Sequence, residues 1–347
     1  MTTIQLFEEA WDLKLSVIIG CAALILAYLW VVRFRLNLKT MFFVAGVVLM
    51  LLTLIGPLDF LGDDYLFSAH MLEHILLELA VPPLLLLGLP AEPVESLLSI
   101  GFAAKTERFL RRPVVALLLG VGTLWLWHAP VLYNAALNNE GIHAVQHLSM
   151  LVTGTIFWWP VFSPLPSSRL LPIAGAVYVF IAMSVDMILG ILLTFMPLGF
   201  YPKYMRLANG AGIFHFIRTA WKLTPQEDLN LGGMFMWIIG GLFYFTALLV
   251  EITRLYWNRE ERVFGEMVSG RLVRNHDYYI QEKPAGWNVP KPEFIPSPTY
   301  WPFVLSLGAT LMGLGLLTSM IICVTGLILF IVAIVKWTGD IYDEERQ

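Results

Sequence analysis

The stretch SAHMLEHILLELAVPPLLLLGLP, residues 68–90, decides the fold of this chain. Most of its residues are apolar, and it is long enough to carry a helix across the hydrocarbon core of a membrane, which takes about 20 residues. The same stretch contains four ionisable side chains, His70, Glu73, His74 and Glu78. Ionisable groups are costly inside a membrane and are kept there mainly for function. The stretch therefore predicts a spanning helix over residues 70–89 that carries a functional site.

Apolar runs of similar length recur along the chain. Of its 347 residues, 58% are hydrophobic and 14% are charged, and the mean hydropathy is +0.71. A soluble domain has about 25% charged residues and could not bury several such runs. The composition therefore indicates an all-α polytopic membrane protein that sits in the lipid bilayer. The net charge of −4, without a long basic block, gives no basis for a nucleic-acid partner.

Hydropathy predicts nine transmembrane helices. Seven spans are expected at residues 16–32, 41–58, 70–89, 113–127, 145–162, 171–195 and 231–249. The apolar block 300–337 is too long for one span and contains turn-prone residues near 316–320, so it predicts a hairpin of two short helices. We expect a seven-helix bundle at 1–258, a Pro-rich linker at 259–299, and the hairpin with an acidic tail at 300–347.

The distribution of basic residues predicts the orientation of the spans. Most of the 22 Lys and Arg residues fall in alternate connections, and the positive-inside rule makes these connections cytoplasmic. The N-terminus is therefore expected outside and the linker inside. We do not expect the first apolar run to be a cleaved signal peptide, because acidic residues precede it and basic residues follow it.

In this orientation, six of the seven histidines lie at the outer face. Residues four apart share one face of a helix, so a pair of histidines at this spacing can point to one place. The third and fifth spans each carry such a pair, and the two pairs can face each other. The outer histidines are His70 and His74, His143 and His147, His128 at the end of the fourth span, and His215 in a loop; His276 is cytoplasmic.

Further candidate groups lie on neighbouring positions. Asp186 interrupts the apolar run SVDMILGILL of the sixth span, which marks it as functional. Glu78 continues the stripe of His70 and His74, where a carboxylate can orient a ligand histidine or accept its proton. Thioether ligands for Cu(I) are available from methionines, among them Met71.

Five motifs in this order resemble a known family. They are SAHMLEHILLELAVPPLLLLGLP (68–90), LWHAPVLYNAAL (126–137), HAVQHLSMLVTGTIFWWPVFSPLP (143–166), MSVDMILGILLTF (183–195) and LTPQEDLNLGGMFMWIIGG (223–241). Over residues 16–258 the chain resembles the polytopic CtaG-type cytochrome c oxidase assembly factors of bacteria. The resemblance implies a non-catalytic, multi-pass protein of the bacterial plasma membrane. It also implies that cytochrome c oxidase subunits are its partners and that it handles copper at the outer face.

The same resemblance points to particular residues. The family's histidine pattern carries over to His70, His74, His128, His143 and His147, and its membrane aspartate to Asp186. The chain departs from the pattern at two carboxylates, because Gln is expected at Glu73 and an apolar residue at Glu78. The segment 300–347 resembles the small two-helix subunits of bacterial cytochrome oxidases, which implies a protein that stays in the oxidase complex.

Three functions remain open at this point. In the first, the chain is an assembly factor or accessory subunit of a heme-copper oxidase; it binds copper through His70, His74, His143 and His147, with His128 and Asp186 adjacent. In the second, the facing histidine pairs ligate heme in a membrane cytochrome of respiratory electron transport. In the third, the histidines form hydrogen bonds between helices in a metal-free scaffold of the oxidase.

Overall fold

The computed structural model describes residues 2–268, 300–318 and 320–344, with side chains for residues 2–255, 300–312 and 324–339. Within these ranges the chain is helical and contains no β-strand. The prediction of an all-α chain is confirmed. The chain forms two compact units, residues 1–263 and 264–347. Most of the predicted linker 259–299 lies outside the described residues, and so does His276.

The helices of the first unit follow the order of the predicted spans. Its described α-helices are α1 (Thr3–Glu9), α2 (Leu15–Val31), α3 (Leu38–Ile55), α4 (Pro57–Asp64), α5 (Phe67–Ile75), α6 (Val81–Gly88), α7 (Ala91–Leu98), α8 (Gly101–Leu110), α9 (Pro113–Trp127), α10 (Pro130–Leu137), α11 (Glu140–Phe162), α12 (Pro172–Thr194), α13 (Ile213–Ala220), α14 (Pro225–Met234) and α15 (Gly240–Val268). A π-helical turn, Leu76–Ala80, joins α5 to α6, and a second, Phe235–Ile239, joins α14 to α15. Helix α15 continues past the predicted boundary at residue 258.

Several of these helices can cross a membrane. Within the described ranges, four are long and apolar enough: Leu38–Ile55, Phe67–Gly88, Pro172–Thr194 and Pro225–Leu255. A fifth candidate combines α8 and α9, which meet at a bend of 71°. Helix α2 is apolar but shorter, and α11 begins five residues before the predicted fifth span and ends with it. The protein is thus a membrane protein, while the nine spans and their orientation stay predictions.

Polar and apolar side chains of the first unit are distributed as a membrane environment requires. Ionisable side chains are buried between the helices, including Glu78 and Glu251. Large apolar side chains point outward instead; examples are Val114, Leu118, Leu126, Phe180, Ile188 and Phe195. Such an exposed apolar surface is unfavourable in water but suits contact with lipid tails. The polar groups inside must then find partners within the bundle.

A change in helix type divides the third span. Proline has no N–H group, so Pro82 cannot donate a hydrogen bond to the carbonyl four residues earlier. That carbonyl belongs to Glu78, in the π-helical turn, and Nε1 of Trp158 on α11 donates to it over 3.1 Å. Gly154 lets α11 approach this turn, because a Cβ atom there would lie 2.8 Å from the Glu78 carbonyl oxygen. The tryptophan satisfies the oxygen that the proline leaves without its helical donor.

The N-terminus of α5 is capped by a residue from another helix. The first N–H groups of a helix have no partner within it, and Leu66, before α5, offers no side-chain cap. Asp228 of α14 takes this role: its carboxylate accepts the backbone N–H of Phe67 at 2.7 Å and that of Ser68 at 3.1 Å. It also accepts the Ser68 hydroxyl at 2.5 Å. Asp228 therefore fixes the position of the helix that carries His70 and His74.

The second unit contains two helices at the predicted hairpin, α16 (Trp301–Thr318) and α17 (Met320–Glu344). They pack against each other through glycines. A Cβ atom on Gly308 would lie 2.6 Å from the backbone nitrogen of Phe330, and one on Gly326 would lie 2.4 Å from that of Met312. These two glycines therefore serve the contact within the hairpin.

We expect Asp228→Asn to destabilise the first unit by about 2 kcal/mol, because the buried hydrogen bonds to a charged acceptor are weakened and one donor of α5 loses its partner. The melting temperature of the purified chain in detergent measures the effect. Glu227→Gln, at the neighbouring exposed position of the same helix, is the control and should change the melting temperature less. Equal shifts in both variants would contradict the capping role.

Candidate metal centre

Five histidines meet at one end of the first unit, and we call them the histidine cluster: His70 and His74 on α5, His143 and His147 on α11, and His128 directly after α9. Within each pair the ring centroids are 4.3 Å apart for His70 and His74 and 4.1 Å apart for His143 and His147. Across the two helices, the His70 and His143 rings lie 5.3 Å apart and the His74 and His147 rings 5.7 Å. The two pairs face each other.

The imidazoles of the cluster are buried and short of hydrogen-bond partners. His70 and His74 are fully buried, and His147 is nearly so. Among the described residues, neither ring nitrogen of His70 has a hydrogen-bond partner, and Nε2 of His74 and of His147 also lack one. Buried polar atoms without a partner are uncommon because they forfeit the hydrogen bonds that water would give them. An ion bound between these nitrogens would supply the missing interaction.

His128 is held in one orientation at the edge of the cluster. Its Nδ1 lies 2.7 Å from the carbonyl oxygen of Leu124, which can only accept, so Nδ1 carries the proton. The Nε2 of a neutral ring is then an acceptor or a ligand. This atom lies 3.3 Å from Sδ of Met71 and 3.4 Å from Nδ1 of His74. Within the cluster, Nε2 of His128 is thus positioned to accept a hydrogen bond from Nδ1 of His74.

Three overlapping groups of side chains have the composition and spacing of a metal site, each with ligand atoms within 4.8 Å of one another. The groups are His70, His74 and His147; Asp63, His70 and His143; and Asp59, Asp63 and Glu73. His70 belongs to the first two groups and Asp63 to the last two. The first group consists of imidazoles, the second combines two imidazoles with a carboxylate, and the third consists of carboxylates. Imidazole suits copper and zinc, and carboxylate suits harder cations.

Carboxylates lie close to the histidine cluster. Oε1 of Glu73 is 3.7 Å from Nδ1 of His147, and Oδ1 of Asp63 is 3.4 Å from Nε2 of His143. Asp59 and Asp63 are on α4, outside the spanning helices, and burial raises the pKa of each to about 6. Burial alone would lower the pKa of Lys14, but the hydrogen bond with Asp59 and the negative charges of Asp59, Asp63 and Glu73 together outweigh this, so the pKa is raised.

Asp186 lies beside the cluster without joining any of the three groups. Its Oδ2 accepts the hydroxyl of Tyr244 at 2.5 Å. A small cavity of about 10 Å³, large enough for about one water molecule, is lined by Asp186, Tyr244, Glu78 and His74. Asp186 and Glu78 are thus connected to the cluster through His74. His215, by contrast, is exposed on α13.

A cleft of about 700 Å³ reaches the cluster from its side. Its lining comes from α2, α3, α4 and α11 and includes His143 and His147. Acidic side chains dominate the polar part of the lining: Asp12, Asp59, Asp63, Asp64 and Glu140, with Lys14 as the basic residue. A negatively charged cleft attracts cations and repels anions.

The sequence motifs do not identify Lys14, Asp59 or Asp63 as site residues. The signal was present in the segment LDFLGDDY, residues 58–65, which places three aspartates shortly before His70. Only the packing of α4 against α5 brings them to the histidines. A Cβ atom on Gly62 of α4 would lie 2.9 Å from the backbone nitrogen of His70, so the two helices touch there.

Residues 25–258 match the family described as cytochrome c oxidase caa3 assembly factor, which covers well over half of the chain. The chain belongs to this family. The resemblance seen in the sequence motifs is confirmed, and every member of the histidine cluster lies in the segment that matches the caa3 assembly factors.

Curated relatives of this chain include mycobacterial proteins. The protein named Uncharacterized protein Mb0105, of Mycobacterium bovis (strain ATCC BAA-935 / AF2122/97), is 24% identical over 216 residues, which cover 57% of this chain and 31% of that protein. Uncharacterized protein ML1998 of Mycobacterium leprae (strain TN) is 24% identical over 191 residues, 50% of this chain and 27% of that protein. The match spans less than a third of these relatives' length. No solved structure matches the chain.

We expect Gly62→Ala to destabilise the chain by about 1 to 3 kcal/mol, because the added methyl group would press α4 against the backbone at His70. The melting temperature in detergent measures the loss. Gly199→Ala is the matched control, since a Cβ atom there meets nothing within 4 Å. If both variants melt alike, the close contact between α4 and α5 is not required.

Proposed function

We propose that this chain assembles, or accompanies as an accessory subunit, a bacterial heme-copper cytochrome c oxidase, and that it holds copper for the oxidase at the outer face of the plasma membrane. In this proposal the copper ion is cargo. Its ligands come from His70, His74, His143 and His147, with His128 and Asp186 adjacent. Membership of the caa3 assembly factor family supports the role in assembly.

The observation that carries the copper proposal is the group of His70, His74 and His147. Three ligand nitrogens from two helices lie within 4.8 Å of one another in a buried site. Nitrogens of all three rings lack a hydrogen-bond partner in the described part of the chain. Imidazole binds copper well, and Cu(II) has the highest affinity among the divalent first-row metals.

The surroundings of the three rings favour a bound cation. Glu73 lies 3.7 Å from His147, and Asp63 lies 3.9 Å from His70. Carboxylates next to ligand histidines fix the ring orientation and increase the basicity of the ligand nitrogen. They also offset the positive charge of an ion that is held away from water. Met71 adds a thioether beside His128, a soft donor of the kind that Cu(I) prefers.

The geometry favours a single ion over the heme alternative. A heme between two helices needs a slot as wide as the macrocycle, with one histidine on each side of the iron. Here other rings fill the space around the facing pairs, since His74 lies 4.3 Å from His70 and 5.2 Å from His128 as well as 5.7 Å from His147. Tyr133 packs against His70 at a centroid distance of 5.1 Å and fills the adjacent space.

We expect the purified full chain, loaded with copper in detergent and dialysed, to retain about one copper ion at the histidine cluster, and His74→Ala to lower its affinity at least about tenfold. Elemental analysis of copper per chain is the measurement. His215→Ala is the control, because His215 is exposed and lies outside the cluster. A metal-free scaffold predicts instead that His74→Ala and His215→Ala retain the same copper, with only stability changed.

In cells, a strain without this protein should make oxidase polypeptides that lack copper and activity. Returning the His215→Ala variant should restore oxidase turnover, whereas the His74→Ala variant should not, at equal protein levels. The readouts are oxidase turnover and the copper content of the isolated oxidase. Normal copper content and turnover in the deletion strain would refute the assembly role.

A further inference from the structure

Lys14 places a positive charge where a metal ion could bind. Its Nζ lies 2.9 Å and 2.6 Å from the two carboxylate oxygens of Asp59. The same atom is 3.9 Å from Asp63 and 3.8 Å from Asp12. The Asp59 side chain is almost fully buried, whereas that of Lys14 remains 33% exposed. The ammonium group thus enters an acidic site from its solvent side.

The acidic site consists of Asp59, Asp63 and Glu73, which we call the acidic trio. Their ligand oxygens lie within 4.8 Å of one another. Glu73 is fully buried, and among the described residues neither of its oxygens has a hydrogen-bond partner. Three carboxylates confined to one place repel each other when ionised, and Lys14 bonds directly only to Asp59. The unpartnered oxygens of Glu73 point to a second cation.

We infer that the acidic trio is a second metal site, which receives a divalent transition-metal ion on its way to the histidine cluster, and that Lys14 is a resident counter-ion which the metal displaces. This inference rests on the proposed function, because the histidine cluster is the destination. Carboxylate oxygens hold such an ion less tightly than a set of imidazoles does, which suits a site of passage.

The positions of the three groups of ligands give the order of the steps. The cleft is lined by Lys14, Asp59 and Asp63 and also by His143 and His147, so one space connects the acidic trio to the histidines. Asp63 belongs both to the trio and to the group with His70 and His143. An ion can therefore keep Asp63 as a ligand while it exchanges carboxylates for imidazoles. His70 belongs to that group and also to the group with His74 and His147, so it can remain a ligand during the next transfer.

Lys14 can leave the trio without becoming isolated. Its side chain has a long flexible stem, and an ammonium group is a compact charge that is well hydrated in water. Asp12, whose side chain is 57% exposed, already lies 3.8 Å away and offers a second partner nearer to solvent. When a divalent ion enters, two charges replace one, which compensates the three carboxylates better than Lys14 does.

The test is a titration of the full chain in detergent with Cu(II), followed by electron paramagnetic resonance and equilibrium dialysis. In the unchanged chain we expect one tightly bound ion with nitrogen hyperfine coupling and a second, weaker ion with oxygen ligands. Lys14→Gln should tighten the second ion about tenfold, because the competing charge is gone. Lys14→Arg should weaken it, because a guanidinium binds a carboxylate bidentately and is harder to displace.

Lys203→Gln is the matched control for a lost positive charge. Lys203 forms an ion pair with Asp64 at 3.1 Å, next to the same cleft, but does not touch the trio. Its replacement should leave the second ion within about twofold of the unchanged chain. If Lys14→Gln does not fold because Asp59 loses its partner, the opposite effect of Lys14→Arg still tests the displacement.

Different results would refute the second metal site and the copper site at the histidine cluster. The double variant Lys14→Gln/Asp59→Asn removes one ligand of the trio and should lose the second ion while it keeps the nitrogen-coupled one. A single bound ion in both the unchanged chain and Lys14→Gln, or equal affinities in the Lys14 and Lys203 variants, would overturn the second site alone. Absence of the nitrogen-coupled ion from the unchanged chain would overturn the copper proposal itself.

Discussion

The burial of ionisable side chains within an apolar bundle is the constraint on which the rest of this structure depends. A buried polar atom must find a partner inside the protein, because lipid offers none. The chain meets this requirement with hydrogen bonds from the side chains of one helix to the backbone of another. Asp228 of α14 caps α5, and Trp158 of α11 donates to the carbonyl oxygen that Pro82 leaves without its helical donor. Several buried polar atoms that lack a partner among the described residues lie in the histidine cluster or beside it. They include nitrogens of His70, His74, His143 and His147 and oxygens of Glu73, Glu78 and Asp186.

Much of the fold could be predicted from the sequence, because the length and hydropathy of a span depend on local composition. Each predicted span overlaps a described helix, and the spacing of four residues within each histidine pair places both rings on one face. The π-helical turn could not be predicted in this way. It starts at Leu76, between His74 and Glu78. Glu78 lines the cavity beside His74 and Asp186, whereas Glu73 belongs to a ligand group with Asp59 and Asp63.

The carboxylates next to the histidine cluster could not be predicted from the sequence either. Asp59 and Asp63 lie in a short helix between two spans. Acidic residues in such a connection are usually solvated, so their presence does not indicate a functional site. Their role arises from tertiary packing, since Gly62 allows α4 to touch the backbone of His70. A glycine between two aspartates has no distinctive pattern in a single sequence. Family membership supplies the biological setting, and the packing supplies the chemistry of the site.

The π-helical turn also affects how this segment can change in evolution. A π turn holds one residue more than the α-helical turn it replaces, so deletion of one residue within Leu76–Ala80 could restore a regular helix. The rest of the span would then keep its orientation relative to the histidines, because the wider turn already takes up the additional residue. Gly88, whose absent side chain makes room for Phe43 of α3, would keep this neighbour. The same deletion in a regular stretch of the span would instead rotate everything that follows by about 100°.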